Sequence, residues 1–268
     1  MKPDPARRVA RISIAPVKAF RLLHPERVML TERGVVENRR FVIVGEDGRH
    51  LRSEPTAWPA LISGTYDPDR EHLAMSFPHG ANVEGSALEL GDSVVTYIEP
   101  GPRRMEMRIV EGAWNEHLSR VAGRPVRLAR PEHPGDPLSE PVTLMSDGSL
   151  DRLAREAGAP VDPRRFRMLF TLSGCEAHEE DTWAGRLVRV GEAVIRITDP
   201  VDRCVVTTRD PDTAKRDLDT LRLIKGYRGM RGRYVDFGMF AQVAVPGAVA
   251  VGDAFEVLAP AEPDGVPA

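Results

Sequence analysis

Short stretches of alternating apolar residues recur through the first hundred residues of the chain, and turn sequences separate them. Turns are indicated at residues 67–69, 78–80 and 91–92 by Pro, Gly and Asp. Alternation with a period of two residues is typical of strands that bury one face. Several short strands at regular spacing are typical of a barrel or sandwich. The stretches that carry this pattern run over residues 9–16, 40–44, 61–66, 72–77, 87–90 and 94–98.

Helical spacing appears only after Gly112. A first helix is predicted from Trp114 to Val121, with Gly123 as the glycine that ends it. Ser146 is a suitable N-cap for a second helix that ends at Gly158, and a third is predicted over residues 218–227. Further strands are predicted at 126–128, 167–172, 187–190, 193–197, 205–208, 240–245 and 255–258. The sequence therefore predicts a mostly β (α+β) fold, with one domain over residues 1–110 and a second over 111–268.

Charge and cysteine content exclude several classes of protein. The chain has 268 residues with 37 basic and 40 acidic side chains, and this near balance argues against a general nucleic-acid binder. No stretch approaches the eighteen apolar residues of a membrane span. The two cysteines, Cys175 and Cys204, are too few for a secreted disulfide scaffold. We expect a cytoplasmic protein with reduced thiols and no membrane partner.

Cys204 is the best candidate in the sequence for chemistry. It follows Arg203 and precedes Thr207 and Thr208. A thiolate attacks electrophiles and binds metals, and a guanidinium favours the thiolate when the two side chains meet. However, neighbouring residues of a strand point to opposite faces, and a cysteine in a Val-rich segment is often a small buried apolar residue. Both interpretations of Cys204 remain open at this point.

Six segments, taken in order, resemble the MOSC family, named for the molybdenum-cofactor sulfurase C-terminal domain. The most specific is Arg-Cys-x-x-Thr-Thr-x-Asp-Pro-Asp-Thr at residues 203–213. The first two resemble the N-terminal β-barrel domain that accompanies MOSC in many members. The resemblance implies a MOSC-like β-barrel with a few helices, preceded by that N-terminal β-barrel domain. The six segments are residues 15–20, 34–41, 162–170, 178–183, 203–213 and 236–238.

The resemblance also implies a cofactor and a reaction. Family members bind molybdenum cofactor, a pterin that carries a dithiolene and a phosphate, and reductase members use the cysteine of the Arg-Cys motif as a molybdenum ligand. In this chain that residue is Cys204. A thiolate is a soft ligand that suits such a metal. The implied activity is an oxidoreductase that removes oxygen from small N-oxygenated substrates, with electrons from a separate donor.

Further cofactor-binding side chains are implied by the same resemblance. Lys18 matches the lysine of a Pro-Val-Lys motif, Arg39 matches the arginine of a Gly-Asp-Arg motif with Arg40 as the alternative, and Arg167 matches the arginine of Phe-Arg-Pro-Asn. Arginine and lysine are suited to phosphate. Taken singly, each of these residues is also an ordinary candidate for a solvated surface charge. The complete set of candidates is Lys18, Arg39, Arg40, Ser146, Arg167, Arg203 and Thr207.

The sequence departs from the family pattern at four places that bear on the cofactor. Ala19 replaces a serine, Met168 and Leu169 replace the Pro-Asn of Phe-Arg-Pro-Asn, and Ala214 replaces a glycine. Leucine cannot supply the hydrogen bonds of an asparagine amide, and alanine tolerates positive φ less well than glycine. These departures predict altered, weakened or absent cofactor binding.

Two other functions remain open from the sequence. In one, Cys204 carries a persulfide and works with a separate cysteine desulfurase, because the chain has no room for a pyridoxal-phosphate domain. In the other, the protein binds the cofactor without catalysis. Cys175 is expected to be a bystander, and residues 178–181 are expected to form a solvated acidic loop rather than a metal cluster. Because pockets favour domain interfaces, we expect Lys18 and Arg39 to face Cys204 and Arg167 across the site.

Overall fold

The computed structural model describes residues 7–52, 55–98, 103–133 and 140–258. Its α-helices are α1 (Trp114–Ala122), α2 (Asp147–Ala157) and α3 (Thr220–Arg228). Short 3-10 helices cover Trp58–Leu61, Pro163–Phe166, Glu179–Trp183 and Val205–Thr208. Its strands are β1 (Arg8–Ile12), β2 (Arg27–Thr31), β3 (Gly34–Val35), β4 (Val42–Gly45), β5 (Ser63–Asp67), β6 (His72–Ser76), β7 (Asn82–Ser86), β8 (Leu90–Ile98), β9 (Arg103–Val110), β10 (Val126–Pro131), β11 (Val142–Ser146), β12 (Phe170–Ser173), β13 (Leu187–Val190), β14 (Ala193–Asp202), β15 (Asp236–Val245), β16 (Gly247–Ala250) and β17 (Phe255–Val257). The predicted mostly β fold class is confirmed.

The largest sheet has the order β1-β12-β11-β15-β14-β13-β17 and closes almost into a barrel. Its two edge strands approach each other, because Arg8 forms an antiparallel bridge with Ala254 just before β17. The Val9 amide donates to the Asp253 carbonyl at 2.9 Å, and the Gly252 amide donates to the Val9 carbonyl at 2.8 Å. Side chains inside this barrel, such as Ile12, Phe170 and Ile195, are fully buried. Closing a sheet on itself removes exposed edges that would otherwise pair with other chains.

The described residues also form three smaller sheets, with the orders β4-β10-β9-β8, β16-β2-β3 and β5-β6-β7. A second core lies among the strands of the first half, and it also takes in α1 and β10 through Trp114 and Leu128. β1 pairs with β12, and β2 pairs with β16, so strands from the first half also join the second half. The division into residues 1–110 and 111–268 stays a prediction.

The helix boundaries follow from their capping residues. Gly123, with φ of 65°, ends α1, and Gly158, with φ of 70°, ends α2. The Ser146 hydroxyl accepts a hydrogen bond from the Ser149 amide and so caps the start of α2. These three predicted boundaries are confirmed. Asp219 caps α3 in the same way, because its carboxylate accepts from the Arg222 amide at 3.0 Å.

Helices α2 and α3 pack together and cover a third apolar core. Leu153 of α2, Ile224 of α3 and Phe237 of β15 are fully buried there. This core lies behind the connection between β14 and α3, which contains Cys204. Among the described residues, the helices are too short and too polar for any of them to cross a bilayer.

Candidate functional site

Cys204 is exposed and lies at the point where β14 gives way to a 3-10 helix over Val205–Thr208. The sequence prediction of a strand over 205–208 is therefore wrong. The Thr207 amide donates to the Cys204 carbonyl at 3.2 Å, and the Thr208 hydroxyl donates to the Val205 carbonyl at 2.7 Å. Threonine hydroxyls that bond back to carbonyls three residues earlier compete with strand pairing. Cys204 and this 3-10 helix, together called the Cys204 turn, leave Cys204 exposed and both valines half-buried.

Arg203 extends its guanidinium away from solvent to three neutral acceptors. Its Nε donates to the Phe237 carbonyl at 2.7 Å, and its Nη1 donates to the Phe166 carbonyl at 3.0 Å. Its Nη2 donates to the Met168 sulfur at 2.9 Å. Burial lowers the pKa of Arg203, and negative charge on Cys204 opposes that effect. Attraction between the two groups is mutual, so the positive charge of Arg203 favours the thiolate form of Cys204.

Two departures from the family pattern are accommodated by this packing. Met168 supplies the sulfur that accepts from Arg203. Leu169 is 2% exposed and packs into the barrel core, while its backbone amide donates to the Thr143 hydroxyl at 2.9 Å. The Leu169 side chain therefore faces the core. The presence of leucine in place of asparagine at this position leaves the solvent-facing side of the segment unchanged.

The other two departures place alanine where the backbone is left-handed. Ala19 has φ of 74° and Ala214 has φ of 58°. This conformation costs a residue with a Cβ about 1–2 kcal/mol. Both alanines line cavities that also contain Val206 of the Cys204 turn, so this strain lies at the candidate site.

Three adjoining cavities form a cleft next to the Cys204 turn. The largest of the three is an open groove of about 460 Å³, solvent-exposed space included. A neighbouring groove of about 290 Å³, measured in the same way, shares four of its lining residues, Ala60, Arg167, Val206 and Arg209. A third cavity of about 280 Å³ contains Lys18 and shares Ala19 with the second. We refer to these three cavities together as the cationic cleft. Its basic lining residues are Lys18, Arg21, Arg52, Arg164, Arg165, Arg167 and Arg209.

Arg39 contacts the backbone of Arg167, which lines the cleft, although the two residues are far apart in the sequence. Arg167 follows the 3-10 helix Pro163–Phe166 in a left-handed conformation and donates from Nη2 to the Phe20 carbonyl at 2.6 Å. Arg39 donates from Nη2 to the Arg167 carbonyl at 3.1 Å. The segment that contains Lys18 is held close by, because the Lys18 amide donates to the Phe41 carbonyl at 2.8 Å. The structure thus brings the segments of Lys18, Arg39 and Arg167 together.

Arg40 and Ser146 lie elsewhere. Arg40 is buried, and its Nη1 donates to the Pro131 carbonyl at 2.8 Å. Ser146 is fully buried, and its hydroxyl donates to the Glu180 carboxylate at 2.7 Å. Neither residue lines the cationic cleft in the part of the chain that the structure describes.

Thr207 is also buried, at 3% exposed. Its hydroxyl lies 3.1 Å from the Cys204 carbonyl and 2.7 Å from the Thr220 hydroxyl. This side chain is used within the protein and is directed at the backbone of Cys204. Thr220, the first residue of α3, was not singled out by the sequence.

The acidic segment at residues 178–181 is not a solvated loop, so that prediction is wrong. Glu180 is fully buried and accepts from the hydroxyls of Ser146 and Ser149, each at 2.7 Å. Burial raises the pKa of Glu180 despite these donors. Asp181 accepts from Arg228 of α3 at 2.6 Å. The 3-10 helix over Glu179–Trp183 lies against the start of α2, which explains why an acidic sequence is placed inside the protein.

Cys175 is a free, half-buried thiol, and burial raises its pKa to about 12. Its sulfur lies 3.9 Å from the Ser173 carbonyl. A thiol with such a high pKa is protonated at neutral pH and is a poor nucleophile. Of the two cysteines, only Cys204 combines exposure with neighbouring positive charge.

Arg209 is a lining residue that the sequence analysis missed. Burial and the nearby Arg216 lower its pKa, while negative charge on Cys204 raises it. The Cys204 thiolate and the cleft are therefore electrostatically linked through Arg209. One signal was available in the sequence, the position of Arg209 five residues after Cys204. This signal is weak, because many other arginines of the chain also lie in polar segments.

Carboxylates neutralise part of the positive charge of the cleft. Arg164 lies between Asp162 and Asp212, with its Nη2 2.7 Å from a carboxylate oxygen of each. Arg165 makes a two-pronged pair with Asp217 at 2.7 and 2.6 Å. Arg167, in contrast, donates to a neutral carbonyl. The positive charges of Arg164 and Arg165 are therefore partly neutralised within the protein.

The fold and the site together define a mostly β protein with an exposed thiol beside a cationic cleft. The family model for the MOSC domain matches residues 116–256, which is more than half of the chain. The chain belongs to the MOSC domain family.

Comparison with known proteins extends this relationship along the chain. It is 24% identical to mitochondrial amidoxime-reducing component 1 of Homo sapiens, over 93% of this chain and 82% of that protein. It is 25% identical to mitochondrial amidoxime reducing component 2 of Rattus norvegicus, over 91% of this chain and 81% of that protein. Among solved structures, the YuaD protein of Bacillus subtilis is similar with a TM-score of 0.46 and 13% identity, over 94% of this chain and 95% of that one.

Proposed function

We propose that this protein is a molybdenum-cofactor-dependent oxidoreductase that reduces small N-oxygenated compounds, with Cys204 as the ligand to the metal. The observation that carries the proposal is the exposed Cys204 thiol, which lies on a turn beside the half-buried Arg203 and next to the cationic cleft. Membership of the MOSC family and similarity to proteins named amidoxime-reducing components support the choice of reaction.

The chemistry of the available donors fits the cofactor. A thiolate is a soft ligand of the kind that molybdenum accepts in such sites. Arginine and lysine side chains suit a phosphate, since arginine offers two parallel donors and lysine a compact charge. Arg167 and Arg209 line the cavities nearest the Cys204 turn, and Lys18 lines the cavity that adjoins them. We assign the phosphate end of the cofactor to this basic lining.

When bound, the cofactor supplies a metal that exchanges two electrons with the substrate. Removal of oxygen from an N-hydroxy group consumes two electrons and two protons and releases water, so a separate electron donor must act on the protein. The residues of the protein hold and orient the cofactor. Arg203 favours the thiolate of Cys204, and Ala60 and Val206 give the cleft an apolar wall beside its cations.

The test is the molybdenum and pterin content of the full chain after expression in a host that makes the cofactor. Wild type is expected to contain close to one molybdenum per chain, and Cys204→Ser is expected to lose it. Cys175→Ser is the matched control, because this second thiol is half-buried and protonated. Reduction of an aromatic amidoxime by the loaded protein with a chemical electron donor completes the test. An absence of molybdenum in every variant would overturn the proposal.

The exposure of Cys204 is also compatible with a second function, that of a sulfur carrier. A persulfide on Cys204 would add the mass of one sulfur atom after incubation with a cysteine desulfurase and cysteine. Mass spectrometry of wild type and Cys204→Ser distinguishes this function from the first. Added sulfur on Cys204 in a protein without molybdenum would favour the carrier.

A further inference from the structure

We propose that Thr220 is a positioning residue for Cys204 and that it acts through Thr207. This inference rests on the proposed function for its catalytic consequence, but the contacts themselves are independent of that function. The Thr207 hydroxyl lies 2.7 Å from the Thr220 hydroxyl and 3.1 Å from the Cys204 carbonyl. Thr220 is 0% exposed and Thr207 is 3% exposed. Since both are buried, water cannot readily replace either hydroxyl.

The directions of these two hydrogen bonds follow from counting protons. A carbonyl only accepts, and each hydroxyl has a single proton to donate. The Thr207 proton is therefore directed to the Cys204 carbonyl, and the Thr220 proton is directed to the Thr207 oxygen. Hydrogen bonds in such a chain polarise and strengthen one another. The result is a directed connection from the first residue of α3 to the backbone of Cys204.

This connection controls the peptide group that follows Cys204. The same carbonyl also accepts from the Thr207 amide at 3.2 Å, which forms the first bond of the 3-10 helix. Cys204 itself lies outside that helix, in an extended conformation with φ of −116° and ψ of 176°. A small rotation of its peptide plane would redirect the side chain relative to the cleft. Two donors on one carbonyl restrict that rotation.

Helix α3 is suited to the role of a fixed anchor. Near its start, Thr220 and Ile224 are fully buried, and Ile224 packs in the third apolar core. At its end, Arg228 donates to Asp181 at 2.6 Å. The Thr220 hydroxyl is therefore held in place from both ends of the helix and can fix the more exposed Cys204 turn.

The test measures amide hydrogen exchange of Thr207 in the full-length chain before cofactor is added. Thr220→Val removes the hydroxyl and keeps the shape, and we expect it to make the Thr207 amide exchange about tenfold faster. Thr220→Ser keeps the hydroxyl and is expected to restore slow exchange. Thr220→Ala serves as a second variant if the valine form does not fold. Exchange of the Ile195 amide in the barrel reports any global loss of stability.

Thr208→Val is the matched control. It removes a buried threonine hydroxyl from the same turn, one that donates to the Val205 carbonyl at 2.7 Å and is not connected to Thr220. We expect this variant to leave exchange of the Thr207 amide close to wild type, relative to Ile195. Equal acceleration by Thr220→Val and Thr208→Val would overturn the inference.

Molybdenum content separates this inference from the proposed function. If the positioning role and the proposed function are both correct, cofactor-loaded Thr220→Val loses molybdenum on dialysis about tenfold faster than wild type. Thr220→Ser loses it at the wild-type rate. Fast exchange of the Thr207 amide in Thr220→Val, in a protein that never binds molybdenum, would support the positioning role and overturn the proposed function. Normal exchange and normal molybdenum retention in Thr220→Val would overturn the positioning role and leave the proposed function standing.

Discussion

The guanidinium of Arg203 donates a hydrogen bond to the sulfur of Met168 at 2.9 Å. A thioether is a weak acceptor, but here it completes the surroundings of a cation that two backbone carbonyls already bind. Met168 occupies a place where the family motif has proline. The substitution therefore adds a contact to the residue that precedes the candidate metal ligand.

Met168→Leu tests the contribution of this sulfur. The replacement keeps the volume of the side chain, so packing alone is expected to cost little. Loss of the acceptor should destabilise the protein by about 1 kcal/mol, measured by urea denaturation. Met145→Leu is the control, because Met145 is as buried as Met168 and packs in the same core. Equal destabilisation by the two substitutions would argue against a role for the sulfur.

Glu180 makes stability depend on pH. Burial raises the pKa of its carboxyl in the folded state above the ordinary value of 4.5. Between pH 4.5 and the raised pKa, the folded protein keeps this proton while the unfolded chain has released it. The stabilising contribution of the group is therefore complete below about pH 4.5. Its contribution falls as the pH rises through the raised value, by at most about 1.4 kcal/mol per pH unit.

Glu180→Gln removes that dependence, because glutamine does not titrate. The free energy of unfolding of wild type relative to this variant should decrease as the pH is raised from 4.5, measured by urea denaturation in a series of buffers. Glu176→Gln is the control, since Glu176 is exposed. A difference between wild type and Glu180→Gln that stays constant with pH would refute this expectation.

Ala214→Gly should stabilise the protein. Ala214 has φ of 58°, and glycine relieves the strain of about 1–2 kcal/mol while it costs about 0.5–1 kcal/mol of chain entropy. A net gain of about 0.5–1 kcal/mol is expected from thermal or urea unfolding. Ala154→Gly, in the interior of α2, should have the opposite sign and cost about 1 kcal/mol. Destabilisation by both substitutions would contradict the strain at Ala214.

Arg209→Gln should weaken retention of the phosphate-bearing cofactor. Loss of one charged donor from the cationic cleft is expected to reduce affinity by about tenfold or more. The measurement is pterin that remains per chain after dialysis at increasing salt. Arg222→Gln is the control, because Arg222 is exposed on α3 and does not line the cleft. Equal pterin content in wild type and Arg209→Gln would exclude a role for Arg209 in binding.

The parts of the fold that were predictable are those that local chemistry determines. Ser146 and Gly158 mark the ends of α2 because an N-cap hydroxyl and a left-handed glycine satisfy backbone groups within a few residues. The hairpin of β13 and β14 was predictable for the same reason, since a short turn joins two alternating strands. Neither depends on a distant part of the chain.

The errors arose where distant contacts decide the outcome. Val205–Thr208 has the composition of a strand, but the bonds to Cys204 and from Thr220 make it a 3-10 turn. The sequence around Glu180 is typical of a solvated loop, but the hydroxyls of Ser146 and Ser149 donate to its carboxylate inside the protein. The spacing of residues in the sequence does not predict these hydrogen bonds between distant segments.

The candidate site was predictable in part. The motif around Cys204 singled out that residue, and Arg39 contacts the backbone of Arg167. That Lys18 and Arg39 face Cys204 across the site stays a prediction. The direction of the Arg203 side chain was not predictable, because its acceptors are two carbonyls and a sulfur from distant segments. The roles of the individual site residues stay predictions.

Because the bridge between Arg8 and Ala254 joins distant residues, we expect the barrel to close late in folding. The two residues lie near opposite ends of the described sequence, and contacts over such separations form slowly because a long loop must be ordered first. Until that closure, β12 is without β1, and its unpaired backbone is open to association with other copies. A fragment limited to residues 116–256 would keep the Cys204 segment and β12 but would lack β1 altogether. Such a fragment should therefore aggregate during expression, and recovery of folded protein should require the preceding strands.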